Sequence, residues 1–406
     1  MGAVPQALKE LKVVEFGGYA AGPHVGKMLA NYGASVVHVE SRDRPDGFRM
    51  QYPPYKDGIQ GLERSGCFAL YNDSKFGVTI DLKKAGGQAL ARRLCDWADV
   101  VIENMRPGVM ARLGLSAEAL MAAHPDLIYL STCNMGQTGP RADTPGFGSQ
   151  LSALAGFCGL TGAAEASPML LYGPYIDFVA SSMGLAAVLA ALDRRRRSGQ
   201  GCVLDQSQYE SGLVFLAGAL LDYEANGVVA QRQSNRDRVA VPHNAYRCAD
   251  GQWLVLSCWS EADFAALAGL IGQAELAADP RFSSAASRRA NIDELDRIVS
   301  AWCATQPVDQ AAAALQAAEV SAYPVQTMSR LFEDPQLVAR RTWRTRRHPE
   351  IGDHAYLFPG FDLPDTPGDI VSPAHLLGAH NEKVFRGFLG MTGEEYEALC
   401  AQDIID

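Results

Sequence analysis

A single carboxylate, Asp177, follows a glycine–proline turn and directly precedes a long apolar run. Gly173 and Pro174 interrupt regular structure, and residues 178–192 carry small side chains at helical spacing. Asp177 is therefore predicted at a helix N-terminus, where it would be an ordinary N-cap residue. A carboxylate there also has a chemical use, because it is ionised at neutral pH and can attack an acyl group without a general base.

A carboxylate nucleophile needs an acyl group held in place and donors for the developing oxyanion. The first turn of a helix supplies backbone N–H groups and a favourable dipole, and Gly173 permits close approach of a ligand. From these residues alone, both the N-cap and the nucleophile interpretation stay open.

Other candidates for chemistry are weaker. Cys133, at a predicted strand end, is an alternative nucleophile, whereas His24 is interpreted as an incidental histidine at a helix start. Arg194–Arg197 suit a phosphate clamp but are better explained as the basic end of a helix. The sequence has no HExxH, G-x-S-x-G or P-loop motif, so zinc peptidase, serine hydrolase and nucleotide triphosphatase chemistry are not indicated.

The composition bounds the class of protein. The 406 residues suggest about two domains, and the net charge of −10 argues against general affinity for nucleic acid or anionic membranes. Nine scattered cysteines without a CxxC pair predict a reducing compartment, no disulfide framework and no metal site. No secretory signal is expected, and residues 178–192 are too short to span a bilayer, so the predicted location is cytoplasmic.

The elements that must position Asp177 begin with a β-α-β unit. Strands are predicted at 11–16 and 35–40, with a glycine-rich turn and a helix between them, which indicates a parallel sheet. Glu40 lies where a ribose-binding acid would stand, but the GxGxxG fingerprint is absent, which disfavours a nicotinamide or flavin enzyme.

Further strands are predicted at 99–104, 127–132 and 203–205, and residues 42–75 are expected to form a long loop. Three successive strands end in polar segments rich in glycine, asparagine and proline. Because such ends share one edge of a parallel sheet, a binding site is expected there. After a long helix at about 207–226, residues 227–328 have the pattern of a smaller domain.

The chain resembles the class III CoA-transferases, the group of formyl-CoA transferase and carnitine CoA-transferase, from about residue 9 to 210 and more weakly beyond. Each motif is short, but their order and spacing are specific. The motifs are Val14–Phe16 with Ala21–Pro23, Gly33–Ala34 with Val39–Glu40, Asn72 with Lys75, Asp81–Lys83, Ala98–Val100 with Glu103–Gly108, Arg112–Gly114, Gly136–Pro140, and Pro174 through Asp177 with Gly184.

The resemblance implies that Asp177 is the catalytic residue. In this family the carboxylate forms an acyl anhydride and then an aspartyl-CoA thioester, so CoA is a substrate and no metal or permanently bound cofactor is required. The CoA contacts that the resemblance implies are Ala21, Arg42, Asn72, Lys75, Asn104, Met105, Arg112 and Met135.

The resemblance also implies an α/β fold. It consists of a large Rossmann-like parallel-sheet domain, built from the N- and C-terminal parts, and a smaller α+β domain, in an interlocked dimer. The expected divisions are 1–226 for the large domain with its linker helix, 227–328 for the small domain, and 329–406 for a linker and C-terminal part that returns to the large domain.

Two positions depart from common family patterns. Met135 stands where many members have an aromatic residue, and Phe147 stands near the position where racemases of the same fold use a proton-transferring histidine. Since phenylalanine cannot carry a proton, an acyl-CoA racemase or isomerase is the alternative rather than the expected activity.

Within the family, residues 134–140, 146–150 and 172–177 look most like subunits that use succinyl-CoA to activate aromatic or dicarboxylic acids, benzylsuccinate among them. Such enzymes contain two related subunits. The expected partner is therefore a second copy or a related chain, and a non-catalytic partner subunit is the remaining alternative.

Overall fold

The computed structural model describes residues 5–405, which divide into two compact units. One unit runs to Phe157 and includes Leu170–Val229 and the chain from Gln336 onward. The other consists of Cys158–Met169 and Ala230–Pro335.

The structure groups Cys158–Met169 with the second unit, whereas this segment was predicted from the sequence to lie in the large domain. Its backbone is bound by the second unit: Arg232 donates to the carbonyl of Ala163 at 3.3 Å, and the Ser234 amide donates to the carbonyl of Gly162 at 3.0 Å. These contacts join residues about 70 positions apart, which local patterns in a sequence do not reveal.

A six-stranded sheet forms the centre of the first unit, and every neighbouring pair in it is parallel, as predicted. Its strand order is β3-β2-β1-β4-β5-β6, so the direction of winding reverses between β1 and β4. Ligands bind outside such a reversal in open α/β sheets. The strands are β1 Lys12–Phe16, β2 Ser35–Glu40, β3 Phe76–Thr79, β4 Val100–Glu103, β5 Ile128–Cys133 and β6 Cys202–Ser207.

Successive side chains of β1 enter different cores, as expected for a strand covered on both faces. Val13 belongs to the core that contains Val25 and Val188, whereas Val14 belongs to the core that contains Leu90. The helices as far as Asn226 are α1 Ala21–Asn31, α2 Gly47–Met50, α3 Gly66–Asn72, α4 Ala85–Trp97, α5 Val109–Arg112, α6 Ala117–Met121, α7 Gly148–Leu154, α8 Phe157–Leu160, α9 Tyr175–Ser198, α10 Gln208–Phe215 and α11 Ala217–Asn226.

Several predicted elements need correction. The segment 42–75 is not a continuous loop, because it contains α2, α3 and a 3₁₀ turn at Lys56–Gly58. Ser65 caps α3 by accepting a hydrogen bond from the Phe68 amide at 3.1 Å, a signal that the sequence contains. The single helix expected at 207–226 is interrupted at Leu216 into α10 and α11.

Helix α9 begins earlier than the apolar run at 178–192, because it includes the Asp177 turn, and Arg194–Arg197 lie at its C-terminal end as predicted. With 24 residues it is long and apolar enough to cross a membrane by length and composition, so the argument that it is too short is wrong. Its Val188 and Ala191 pack in the same core as strands β1 and β5, as a core helix does. The cytoplasmic location stays a prediction.

The second unit contains a three-stranded antiparallel sheet in the order β7-β8-β9, with helices beside it. Its elements are β7 His243–Arg247, β8 Trp253–Ser257, α12 Glu261–Leu270, a 3₁₀ turn Ala274–Ala277, α13 Ala285–Ala290, α14 Ile292–Cys303, α15 Val308–Ala317, β9 Ser321–Pro324 and α16 Met328–Leu331. The remaining elements are α17 Pro335–Ala339, the antiparallel pair β10 Trp343–His348 and β11 Gly352–Leu357, a π-helix Lys383–Phe388, and α18 Gly393–Ala401.

A buried ion pair ties the N-terminal elements together beneath the sheet edge. Lys75 Nζ donates to Glu15 Oε1 at 2.5 Å, to the carbonyl of Pro23 at 2.7 Å and to Asn72 Oδ1 at 3.0 Å. His38 Nδ1 lies 2.7 Å from the same Glu15 oxygen. The side chains of Glu15, His38 and Lys75 are almost completely buried, so this network joins β1, β2, α1 and α3 away from solvent.

A second buried pair lies alongside. Arg49 donates to both oxygens of Glu40, at 2.9 and 2.8 Å. The side chains of His38, Glu40 and His375 offer possible metal ligands within 4.8 Å of one another. Because the Arg49 guanidinium already occupies both Glu40 oxygens, its positive charge stands where a metal ion would be needed, and we assign no metal site.

Lys75→Met should destabilise the protein by about 3–5 kcal/mol, because it leaves Glu15 buried without its cation. Urea unfolding measures the change. Lys83→Met is the matched control, since Lys83 is largely exposed and pairs with exposed Asp43, and about 0–1 kcal/mol is expected. Equal effects of the two substitutions would contradict a structural role for the buried pair.

Candidate active site

The loops after β1 and β4 are joined where the sheet changes winding direction. Asn104 Oδ1 accepts from the Gly18 amide at 3.2 Å, and Asn104 Nδ2 donates to the Gly18 carbonyl at 2.7 Å. Gly17 has φ +116°, and a Cβ on it would lie 1.8 Å from Asn104 Oδ1. Glycine is therefore needed here for both backbone conformation and close approach.

Tyr19 completes the first loop in a left-handed conformation, with φ +62°. Its amide donates to Asp46 Oδ1 at 3.0 Å, and the same oxygen accepts from the Phe48 amide at 2.8 Å. Burial raises the pKa of the Asp46 carboxyl to about 6. The Tyr19 ring makes an edge contact with Phe147, with ring centroids 5.5 Å apart. This buried aspartate thus fixes an uncommon backbone turn that places an aromatic ring at the site.

Two cavities meet at this loop. The larger has a volume of about 920 Å³ and includes Ser41, Arg44 and Lys83 in its lining, whereas the smaller has a volume of about 340 Å³ and includes Asp177. Tyr19 and Met105 line both cavities. The site therefore consists of a wide polar region and a smaller region beside Asp177, connected at these two side chains.

Asp177 is the third residue of α9, not its N-cap. Gly173, with φ +69°, turns the chain so that Pro174 occupies the cap position, and Pro174 has no side-chain donor or acceptor to serve as a cap. The acidic side chain nevertheless lies in the first helical turn, where the dipole favours negative charge. The N-cap prediction is wrong, but the predicted proximity to a helix N-terminus is correct.

The Asp177 carboxylate lacks solvation. The residue is half-buried, but its Oδ2 is inaccessible to solvent and has no hydrogen-bond partner among the residues that the structure describes. Burial raises the pKa of this carboxyl to about 7, so it is not fully ionised at neutral pH, contrary to the expectation from its ordinary pKa. A Cβ on Gly148 would lie only 1.8 Å from Oδ2, so the backbone of α7 directly adjoins the carboxylate.

The surrounding side chains hold the first turn of α9. Ser181 Oγ donates to the Asp177 carbonyl at 2.8 Å and lies 2.9 Å from His24 Nδ1. Burial lowers the pKa of His24 to about 3, so this histidine is neutral at pH 7. The His24 ring contacts the rings of Tyr71 and Phe178 edge-on. His24 therefore supports the helix rather than carrying a charge near the carboxylate.

Cys133 also lines the smaller cavity, at the end of β5. Burial raises the pKa of its thiol to about 11, so the thiolate is scarce at neutral pH. Since the thiolate is the reactive form, this environment disfavours Cys133 as the nucleophile.

The predicted CoA contacts occupy different environments. Asn104 and Met105 line the cavities, and Ala21 is buried at the start of α1. Arg42 is exposed between Ser41 and Asp43, which line the larger cavity, whereas exposed Arg112 does not line either cavity.

Three more of the predicted CoA contacts lie against other residues of the protein. Asn72 and Lys75 are buried in the ion-pair network, and Met135 packs with Leu151 and Ile176. Their contacts with CoA remain predictions.

Sequence reasoning missed several side chains at the site, among them Tyr19, Arg106 and Gln208. Each lies in or directly after a strand-end segment of the parallel sheet, after β1, β4 and β6 respectively. Their position directly after predicted strands was therefore the sequence signal that could have identified them as site residues. Gly148 was missed for a different reason, because its importance depends on contact with a residue 29 positions later along the chain.

The family model for CoA-transferase family III matches residues 8–381. The chain belongs to this family. It is therefore a CoA-transferase, for which CoA thioesters are substrates, and the predicted enzyme class is confirmed.

Two relatives illustrate the range of this CoA-transferase family. Succinyl-CoA–D-citramalate CoA-transferase from Chloroflexus aurantiacus is 33% identical, over 99% of this chain and 98% of the relative. Succinyl-CoA–L-malate CoA-transferase alpha subunit from Chloroflexus aurantiacus is 29% identical, over 98% of this chain and 92% of the relative.

A solved structure of a CaiB/BaiF family protein from Brucella suis is also similar to this CoA-transferase. It has 30% sequence identity and a TM-score of 0.86, and the match covers 95% of this chain and 100% of that one. The similarity of fold therefore extends over both units of the chain.

Gly148→Ala should abolish most CoA-transferase activity, because the added methyl group would collide with the Asp177 carboxylate. We expect a loss of at least about 100-fold in rate, as misplacement by about 1 Å produces. Gly218→Ala is the control, since a Cβ there meets nothing within 4 Å. Circular dichroism checks the fold. A folded Gly148→Ala enzyme with normal activity would show that the close approach of Gly148 to the Asp177 carboxylate is not needed for catalysis.

Asp177→Asn should alter the pH dependence of stability. The folded chain binds the Asp177 proton more tightly than the unfolded chain does, so its stabilising contribution is full below about pH 4 and is lost as the pH rises through about 7. Asparagine does not titrate, so the variant lacks this loss. Between pH 5 and pH 8, the free energy of unfolding of the unsubstituted protein should therefore fall by about 3 kcal/mol more than that of Asp177→Asn. If the free energies of unfolding of the two proteins changed in parallel with pH, burial would not raise the pKa of the Asp177 carboxyl.

Proposed function

We propose that this enzyme transfers CoA from succinyl-CoA to a dicarboxylic acid through acyl intermediates on Asp177. The observation that carries the proposal is the poorly solvated Asp177 carboxylate, in a cavity of about 340 Å³ at the ligand-binding edge of the sheet. Family membership supplies the reaction class, and the two relatives named above use succinyl-CoA with dicarboxylic acids.

In the first half-reaction, an Asp177 oxygen attacks the thioester carbonyl carbon of succinyl-CoA. The carbon–sulfur bond breaks, CoA leaves as a thiolate, and a mixed anhydride remains. The thiolate then attacks the aspartyl carbonyl carbon of this anhydride. Succinate leaves, and CoA is joined to Asp177 as a thioester.

The second half-reaction reverses this order with the new acid. A carboxylate oxygen of the acceptor attacks the aspartyl thioester and releases the CoA thiolate, forming a second anhydride. The thiolate attacks the acceptor carbonyl, which yields acceptor-CoA and restores the Asp177 carboxylate. No proton enters or leaves the overall exchange, so no general acid or base is required.

The unsolvated carboxylate suits this chemistry. Burial already disfavours the negative charge on Asp177, and acylation replaces that charge by a neutral anhydride or thioester. The first-turn N–H groups of α7 begin at Gly148, beside Oδ2, and lack partners within the helix. In the proposal, these groups donate to the oxyanion that forms at each attack.

The larger cavity would hold the nucleotide end of CoA. Arg44 and Lys83 in its lining, with the predicted contact Arg42 nearby, would offset the phosphate charges on a chain whose net charge is −10. The pantetheine arm would pass Tyr19 and Met105 to reach Asp177, since these residues border both cavities.

The proposed assembly is an interlocked dimer, formed with a second copy or with a related subunit. Helices α10 and α11 support an interface, because Val214, Phe215, Leu221 and Tyr223 are large apolar side chains that are more than half exposed. The relationship to an alpha subunit supports the heteromeric form. Because Asp177 is present in the cavity, a purely non-catalytic subunit is the weaker alternative.

An acceptor screen tests the proposed function. The purified protein is incubated with succinyl-CoA and D-citramalate, L-malate or benzylsuccinate, and acyl-CoA products are identified by mass. Asp177→Ala should lower transfer by at least about 10³-fold, because the covalent nucleophile is lost. Asp193→Ala, at the other end of α9 and partly exposed, should keep normal activity.

Two outcomes would overturn this proposal. Full activity of Asp177→Ala would exclude the aspartyl intermediates. Exchange of an acyl α-proton with deuterated water, without CoA transfer to any acid, would instead support the racemase alternative, which Phe147 at the cavity disfavours.

A further inference from the structure

Three charged side chains belong to described residues that line the smaller cavity: Arg106, Asp143 and Asp177. Two of them are acidic. A dicarboxylate that approaches Asp177 with one carboxyl group brings a second negative charge into this already acidic region. Arg106 is the only cation among the described lining residues that can balance it.

We propose that Arg106 binds the distal carboxylate of both the succinyl donor and the dicarboxylic acceptor. This inference rests on the proposed function. The two acids react in turn at the same Asp177 carboxylate, so their distal ends lie in the same region, and one cation can serve both half-reactions. Arg106 is thereby a specificity-determining residue, whereas Asp177 reacts with any acyl group that reaches it.

Arg106 is available for this contact. Its side chain is exposed at the cavity, so its charge remains well solvated in the free enzyme. Within the described residues, its guanidinium makes no ion pair or hydrogen bond. The planar guanidinium can donate two parallel hydrogen bonds to a carboxylate, which a lysine cannot.

The backbone that carries Arg106 is held in place. Asn104 is bound to the Gly18 loop, the Met105 amide donates to Glu103 Oε2 at 2.8 Å, and the Arg106 carbonyl accepts from the Val109 amide at 3.1 Å. Pro107 has a fixed φ and restricts the backbone of Arg106, the residue before it. The arginine therefore extends from a fixed point at the end of β4, and its position relative to the cavity does not depend on an unanchored loop.

The test compares succinyl-CoA with butyryl-CoA, which has the same acyl chain length but no distal carboxylate. Arg106→Gln should lower kcat/KM for succinyl-CoA by about 10- to 100-fold, as loss of a charged hydrogen bond does. It should change kcat/KM for butyryl-CoA by less than about threefold. Arg106→Lys should give an intermediate loss, because it restores the charge but not the paired hydrogen bonds. Arg141→Gln is the control, since Arg141 is an exposed arginine nearby that does not line the cavity.

Inhibition by succinate and by butyrate provides the same comparison without requiring turnover of butyryl-CoA. Arg106→Gln should weaken inhibition by succinate and leave inhibition by butyrate unchanged. Equal losses of kcat/KM with both donors, with inhibition by the two acids unchanged, would overturn the proposal and place Arg106 on the CoA moiety. Equal losses of inhibition by both acids would also overturn it, because the second carboxylate would then make no difference, and unchanged constants would remove Arg106 from the binding site. Failure of the unsubstituted enzyme to transfer CoA from any donor would instead reject the proposed function.

Discussion

The proposed mechanism depends on the burial of one carboxylate oxygen. Oδ2 of Asp177 has neither solvent nor a described hydrogen-bond partner, and burial raises the pKa of the group to about 7. This arrangement destabilises the free enzyme when Asp177 is ionised, since a buried charge without a partner is costly. The cost is relieved once an acyl group or CoA is attached, because both derivatives are neutral. The same burial that limits ionisation thus favours the covalent states.

The rest of the first unit maintains this arrangement through backbone contacts. Gly148 lets α7 approach the carboxylate, and Asn104 joins the loops after β1 and β4 through Gly18. Beneath these loops, the Lys75–Glu15 pair binds the start of α1 to the sheet. Charged groups in this unit therefore have two distinct roles: ion pairs such as Lys75–Glu15 hold the scaffold, and the Asp177 carboxylate, which has no ion-pair partner among the described residues, lies where the chemistry is proposed.

Much of the fold followed from local patterns in the sequence. The β-α-β unit and the polar strand ends predicted a parallel sheet with a ligand-binding edge, and the sheet is confirmed. The family resemblance identified the enzyme class, and the family model confirms it. Helix limits were less accurate, because Pro174 rather than Asp177 is the N-cap of α9 and because the helix expected at 207–226 is interrupted at Leu216.

The parts that could not be predicted depend on contacts between distant residues. Lysine is usually a surface residue, and Lys75 was expected to contact CoA, yet it forms a buried pair with Glu15, 60 positions earlier. The pKa of Asp177 depends on packing by α7 and the surrounding loops, so its ordinary value was a poor guide. The proposed role of Arg106 became apparent only from the structure, in which Arg106 and Asp177 line the same cavity.

The most direct test is to trap the acyl enzyme. The protein is incubated with succinyl-CoA in the absence of an acceptor, treated with hydroxylamine, and digested for peptide mass spectrometry. The account predicts a hydroxamate on Asp177, because hydroxylamine cleaves aspartyl anhydrides and thioesters at the aspartyl carbonyl. Turnover accompanied by an acyl adduct on Cys133, with Asp177 unmodified, would contradict it.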